Sequence, residues 1–142
     1  GRKIYKKKIQ RLVEQYRLIK DILFIDNCAK MPLAYKISNM VVNCSIEPES
    51  FGRVAIESQA MEKVIVASDI GGSKETIIDN KTGFVFKAGD AIALSDKLAH
   101  IFELNETTLK SMGIEGRKNV IKKFNVEKMC FSTYSEYIKL IS

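Results

Sequence analysis

The sequence lacks any apolar run approaching the roughly 20 residues that a membrane-spanning helix needs. No apolar stretch stands behind the basic N-terminal residues in the manner of a secretory signal. Cysteine is scarce: Cys28, Cys44 and Cys130 are an odd number without paired spacing. That argues against a disulfide frame or a zinc site, and predicts free, buried thiols in a reducing cytoplasm. Histidine is represented by His100 alone, expected as a core or surface residue, and no cluster of ligating residues marks a metal centre. No G-x-G-x-x-G follows an expected strand, which disfavours a dinucleotide-binding domain. Internal repeats and low-complexity segments are also lacking.

What remains is ordinary globular composition. The 142 residues are 46% apolar and 28% charged, enough for one domain with a core. The net charge of +6 is uneven. Arg2, Lys3, Lys6, Lys7, Lys8, Arg11, Arg17 and Lys20 crowd the first twenty residues, against Glu14. This run reads either as a solvated helix face or as a surface drawn to anionic lipid, at about 1 kcal/mol per basic residue. Aromatic residues do not interleave with the lysines, as a nucleic-acid stacking platform would require. The first residue is Gly1 rather than Met, which reads as a fragment or a processed chain.

Periodicity predicts an amphipathic helix over 3–19, with Ile9, Leu12, Val13 and Tyr16 in one stripe. Ile22 to Ile25 reads as a short strand, and Pro32 suits the first turn of a helix that faces Leu33, Ala34 and Ile37 inward. Strands follow over Met40 to Asn43, Val64 to Ala67 and Phe84 to Phe86. The second of these has the all-apolar pattern of a parallel strand buried on both faces. Helices are expected over Val54 to Met61 and 73–79, then after an Asp90 N-cap, around Leu109 to Phe124, and from Val126 to Ile141. Strands alternating with helices predict an α/β fold: a Rossmann-like parallel sheet flanked by helices, with a helical C-terminal tail. All 142 residues are read as one domain, about 1–88 as α/β core and 89–142 as tail.

The organising stretch is Glu47 to Glu57. Pro48 and Gly52 break the chain between a strand and a helix start, an arrangement that aims backbone N–H groups and a helix dipole at an anion. Glu49 and Glu57 stand on either side with seven residues between them, so both carboxylates can face one cleft. Gly52 permits close approach to the N–H groups of Phe51, Arg53 and Val54. Arg53 is expected either near a phosphate or in solvent. Gly71-Gly72 serves either a tight turn or approach to a ligand. Asp69 and Glu75 either organise the loop or touch ligand.

This run resembles the Glu-x7-Glu signature of retaining glycosyltransferases of family 4 (group 1). Phe51-Gly52, Ala60-Met61, Ala67-Ser68-Asp69-Ile70-Gly71-Gly72 with Glu75, and Thr82-Gly83-Phe84 follow in that family's order. The resemblance implies the C-terminal, donor-binding half of a GT-B enzyme, lacking its first strand. By resemblance, Glu49 would hold a hydroxyl of the transferred sugar and act as the catalytic residue. Glu57 would hold the ribose, and Phe51, Gly52, Arg53 and Val54 would bind the diphosphate and donor sugar. Cys28 and Met31 would lie near the base, or in an ordinary strand-to-helix loop.

The donor would be a UDP-, GDP- or ADP-linked sugar, and neither cofactor nor metal is expected. The acceptor, a glycan or lipid, would bind a preceding domain. An Arg and a Lys that clamp the diphosphate would also precede this chain, and Arg2 falls too late in the pattern for that role. The resemblance further implies cell-envelope polysaccharide or lipopolysaccharide synthesis, in the cytoplasm or at the inner membrane face, without nucleic acid. The chain alone would then be inactive. The alternative is a non-catalytic split-gene remnant, or a subunit that binds nucleotide sugar or pairs with a separate N-terminal half.

Overall fold

The structure is a computed structural model and describes residues 2–141. The chain divides into two compact units, Gly1–Lys30 and Met31–Ser142.

In the first unit, helix α1 spans Arg2–Gln15 and so ends before the expected residue 19. The stop is a Schellman turn. Arg17 takes a left-handed φ of 58°, and the Leu18 and Arg17 N–H groups donate to the Val13 and Glu14 carbonyls. Of the expected stripe only Val13 is buried, while Tyr16 is 66% exposed. Lys6 pairs with Asp26 within the same unit. Ile22 to Ile25 forms no strand and is exposed throughout, contrary to expectation. A strand requires a neighbour for its N–H and C=O groups, and no strand among the described residues pairs with this run.

The second unit carries the sheet. Its elements are α2 (Met31–Ile37), β1 (Met40–Asn43), α3 (Arg53–Ala60), β2 (Val64–Ser68), α4 (Ser73–Thr76), β3 (Phe84–Phe86), α5 (Ala91–Glu103), α6 (Glu106–Lys123) and α7 (Val126–Ile141). The three strands are parallel in the order β1-β2-β3. Met40 pairs with Val64, and Val66 with Phe84. All five residues of β2 are buried, as the all-apolar run predicts. Because alternate residues point to opposite faces, β2 feeds two cores. Val64 and Val66 pack with Phe84, Phe86, Ile101 and Met112 on one face. Ile65 and Ala67 pack with Ala55 and Ile77 on the other.

Asp90 caps α5 by accepting from the Ala93 N–H at 2.9 Å, and Asn105 caps α6 through Thr108 at 2.8 Å. Helix α4 stops at Thr76, short of the expected 79, because Ile77 turns extended (φ −107°, ψ 130°) and enters the second core. Helix α2 also differs from expectation. Leu33 and Ile37 are 55% and 85% exposed, and the buried residue is Tyr35. The cysteines depart from expectation as well: Cys28 is half-buried, and Cys44 and Cys130 are exposed. Helix α7 has no buried residue; Met129, Phe131, Tyr134 and Tyr137 all face outward.

Candidate active site at the start of helix α3

Two loops meet at the carboxyl ends of β1 and β2, where ligands of open α/β sheets bind. The Ser68 hydroxyl at the end of β2 donates to the Ser45 carbonyl at 2.7 Å, tying the loop after β1 to its neighbour. The Gly72 N–H donates to the Glu49 carbonyl at 3.0 Å. A Cβ on Gly71 would stand 2.4 Å from the Glu49 carbonyl oxygen, and one on Gly72 would stand 2.4 Å from the Phe51 carbonyl carbon. Both glycines therefore serve backbone-on-backbone packing between the loops, a third use beside the two expected from sequence. Asp69 organises its loop by accepting from the Ala88 N–H at 2.9 Å, whereas Glu75 is exposed.

Glu49 sits half-buried in a polar cluster. The Ser45 hydroxyl donates to its Oε1 at 2.6 Å, and Asn43 Nδ2 lies 3.4 Å from each carboxylate oxygen. The side-chain Oδ1 of Asn43 in turn accepts from the Ser45 N–H at 3.3 Å. Glu49 is thus oriented by a strand-end amide and a loop hydroxyl.

Gly52 caps α3 from the left-handed region, at φ 70°, without a side-chain cap. Its carbonyl accepts from the Ala55 and Ile56 N–H groups at 3.0 and 3.3 Å. Within the described residues, the Arg53 and Val54 N–H groups have no acceptor. They leave the positive end of the helix dipole open to an anion. The Phe51 ring, about half exposed, stands edge-on to Phe124 with centroids 6.0 Å apart.

Glu57 stands one turn into α3. Arg53 Nη2 and Nε donate to its Oε1 at 2.8 and 3.2 Å, and the Tyr35 hydroxyl donates to its Oε2 at 3.0 Å. Arg53 thus pairs with a carboxylate on its own helix while it stays largely in solvent. Its side chain is 82% exposed, and an exposed pair at this spacing is worth only about 0.3–0.5 kcal/mol. Burial first, then the bond to Glu57 and its charge, pushes the Tyr35 hydroxyl up to about 12, with Arg53 acting in the opposite direction. Tyr35 therefore stays protonated and donating at neutral pH.

Met31 opens α2, the helix that carries Tyr35, and Cys28 lies in the N-terminal unit. His100 is exposed and edge-on to Phe84 at 5.9 Å. Among the described residues no group of His, Cys, Asp or Glu is arranged to hold a metal ion. A depression of about 650 Å³ lies at the amino ends of β1 and β2 beside Met40 and Val64. It includes neither Glu49 nor Glu57, so chemistry rather than volume marks the site. Sequence reasoning missed Tyr35, Asn43 and Ser45. Asn43 and Ser45 had a usable signal, since polar residues close an apolar strand just before the organising loop.

A family model described as "Glycosyl transferases group 1" matches residues 1–119. The chain belongs to this family. Among group 1 glycosyltransferase relatives and neighbours, the capsular polysaccharide biosynthesis glycosyltransferase CapM of Staphylococcus aureus is 28% identical over 130 residues, 84% of this chain and 34% of CapM. The N-acetyl-alpha-D-glucosaminyl L-malate synthase of Bacillus anthracis is 28% identical over 124 residues, 85% of this chain and 31% of that protein. This chain spans about a third of each. In three dimensions it resembles a glycosyltransferase from Rickettsia africae ESF-5, with a TM-score of 0.89 and 32% identity over 97% of this chain and 37% of that one. Anabaena Alr3699/HepE, solved in complex with UDP-glucose, has a TM-score of 0.87 at 21% identity, over 96% of this chain and 38% of its own. That likeness shows the fold alone. No helix among the described residues is long and apolar enough to cross a membrane.

Proposed function

We propose that this chain is the donor-binding part of a retaining glycosyltransferase of family 4, which transfers sugar from a nucleotide sugar to a glycan or lipid acceptor. The observation that carries the reading is the pair of oriented, partly open carboxylates, Glu49 and Glu57, on either side of an uncapped helix start. Sugar and ribose hydroxyls bind carboxylates by charge-assisted hydrogen bonds. Glu57 holds the ribose in this reading, and Glu49 holds a hydroxyl of the transferred sugar at the reacting centre. The N–H groups at Arg53 and Val54 face the diphosphate, where negative charge grows as the sugar leaves. No cofactor enters the reading. The similarity to CapM, and the basic residues of α1, support cell-envelope glycan synthesis near an anionic membrane face.

These residues alone are expected to give no turnover, because transfer requires donor and acceptor to be held together. Calorimetric titration of the chain with UDP, GDP and ADP tests the donor half. Binding of one nucleotide, abolished by Glu57→Ala, is the expected result. Binding that survives Glu57→Ala unchanged would refute the ribose assignment, and robust transfer by the chain alone would refute its dependence on a second part.

A further inference from the structure

The two oxygens of Glu57 have partners of opposite character. Oε2 accepts from Tyr35, which is 5% exposed and stands on another helix. Oε1 accepts from Arg53, which is 82% exposed and stands on the same helix. A buried phenol has little water to turn to, so it keeps its bond to the carboxylate. An exposed guanidinium exchanges a carboxylate for water or another anion at little cost. A carboxylate pinned at one oxygen presents its remaining lone pairs in a fixed direction. A pair of neighbouring hydroxyls requires such a fixed acceptor.

We propose that Tyr35 is a positioning residue for donor recognition: it anchors Glu57 Oε2 so that the free lone pairs of the carboxylate meet the ribose hydroxyls in one orientation once Arg53 gives way. The proposal rests on the reading of Glu57 as the ribose-binding carboxylate. Tyr35 acts through Glu57 and touches no substrate itself. It lies on α2, 22 residues before Glu57, so the device couples two elements that the sheet alone would not link.

The test uses the full chain. Tyr35→Phe keeps the buried ring and removes only the donor. Glu57 is partly open to solvent, so water takes the vacated place and the fold is retained. UDP, GDP and ADP are titrated, each beside its 2′-deoxy counterpart, against the wild type, Tyr35→Phe and Glu57→Ala. Tyr35→Phe is expected to bind the preferred ribonucleotide about tenfold more weakly, the scale of one hydrogen bond to a charged group. The deoxy form should weaken far less, so the ribo-to-deoxy preference falls toward one at an unchanged melting temperature.

If Tyr35→Phe keeps the wild-type preference while Glu57→Ala loses it, Tyr35 is only structural and the proposal is overturned, with the Glu57 reading intact. If Glu57→Ala also keeps the preference, the ribose reading fails and takes the proposal with it. A crystal structure of Tyr35→Phe supplies a ligand-free readout. The Glu57 carboxylate should leave its present place while α2 stays put; an unmoved carboxylate overturns the proposal even if none of the three nucleotides binds.

Discussion

Two apolar runs of the same kind have opposite fates. Ile22-Leu23-Phe24-Ile25 is exposed and irregular, whereas Val64-Ile65-Val66-Ala67 is a fully buried strand. Local propensity does not separate them, since both are rich in residues that favour strands. The second run has a parallel neighbour on each side, β1 and β3, and a core on each face. The first pairs with no strand among the described residues. An apolar run becomes a strand when its backbone groups have partners, and that is a property of the surroundings.

The comparison is most severely broken where the loops at the strand ends meet. Gly72→Ala would place a Cβ 2.4 Å from the Phe51 carbonyl carbon, and neither backbone can yield cheaply. A loss on the order of 4 kcal/mol, or failure to fold, is expected in denaturant melts. A wild-type midpoint would show that the two loops separate freely.

Paired truncations sharpen the contrast itself. Ile65 is 0% exposed, so Ile65→Ala should cost about 2–5 kcal/mol. Ile25 is 70% exposed, and Ile25→Ala should stay within about 0.5 kcal/mol. Equal losses at the two positions would mean that the 22–25 run is packed after all.

Alkaline melts probe the polar link from α2 to α3. Tyr35 holds its proton to about pH 12 in the folded chain, against 10.0 for an ordinary tyrosine. The folded state therefore binds more protons across that window, and its stability falls as pH rises from about 10 through about 12. Tyr35→Phe should flatten this part of the curve. An identical alkaline limb in wild type and variant would remove the link.

A small change of opposite sign is expected at Gln59, which is fully buried with Oε1 lacking a partner. Its Nε2 donates to the Ala55 and Thr76 carbonyls. Ala55 O also has its helical partner, and Thr76 O also accepts from Asn119. Gln59→Met therefore strands no acceptor and removes an orphan. A change between zero and about 1 kcal/mol of added stability is expected in the same melts, and a clear loss would show that the amide bonds outweigh the orphaned oxygen.

By itself the sequence determined much of this protein. The β1–loop–α3 unit, the buried β2, β3, the Asp90 cap and the span of α7 are all local statements about period, capping and turn residues, and such signals act within a few residues. The family was legible for the same reason, because its motifs run in order from Glu49 to Phe84. Only the tertiary structure decided which apolar run paired, which face of α2 turned inward, and what Gly71 and Gly72 are packed against. It also decided the partners of the two carboxylates: Ser45 and Asn43 for Glu49, Tyr35 and Arg53 for Glu57. Tyr35 shows why. A tyrosine is buried where its hydroxyl finds an acceptor, and here that acceptor lies 22 residues away on another helix.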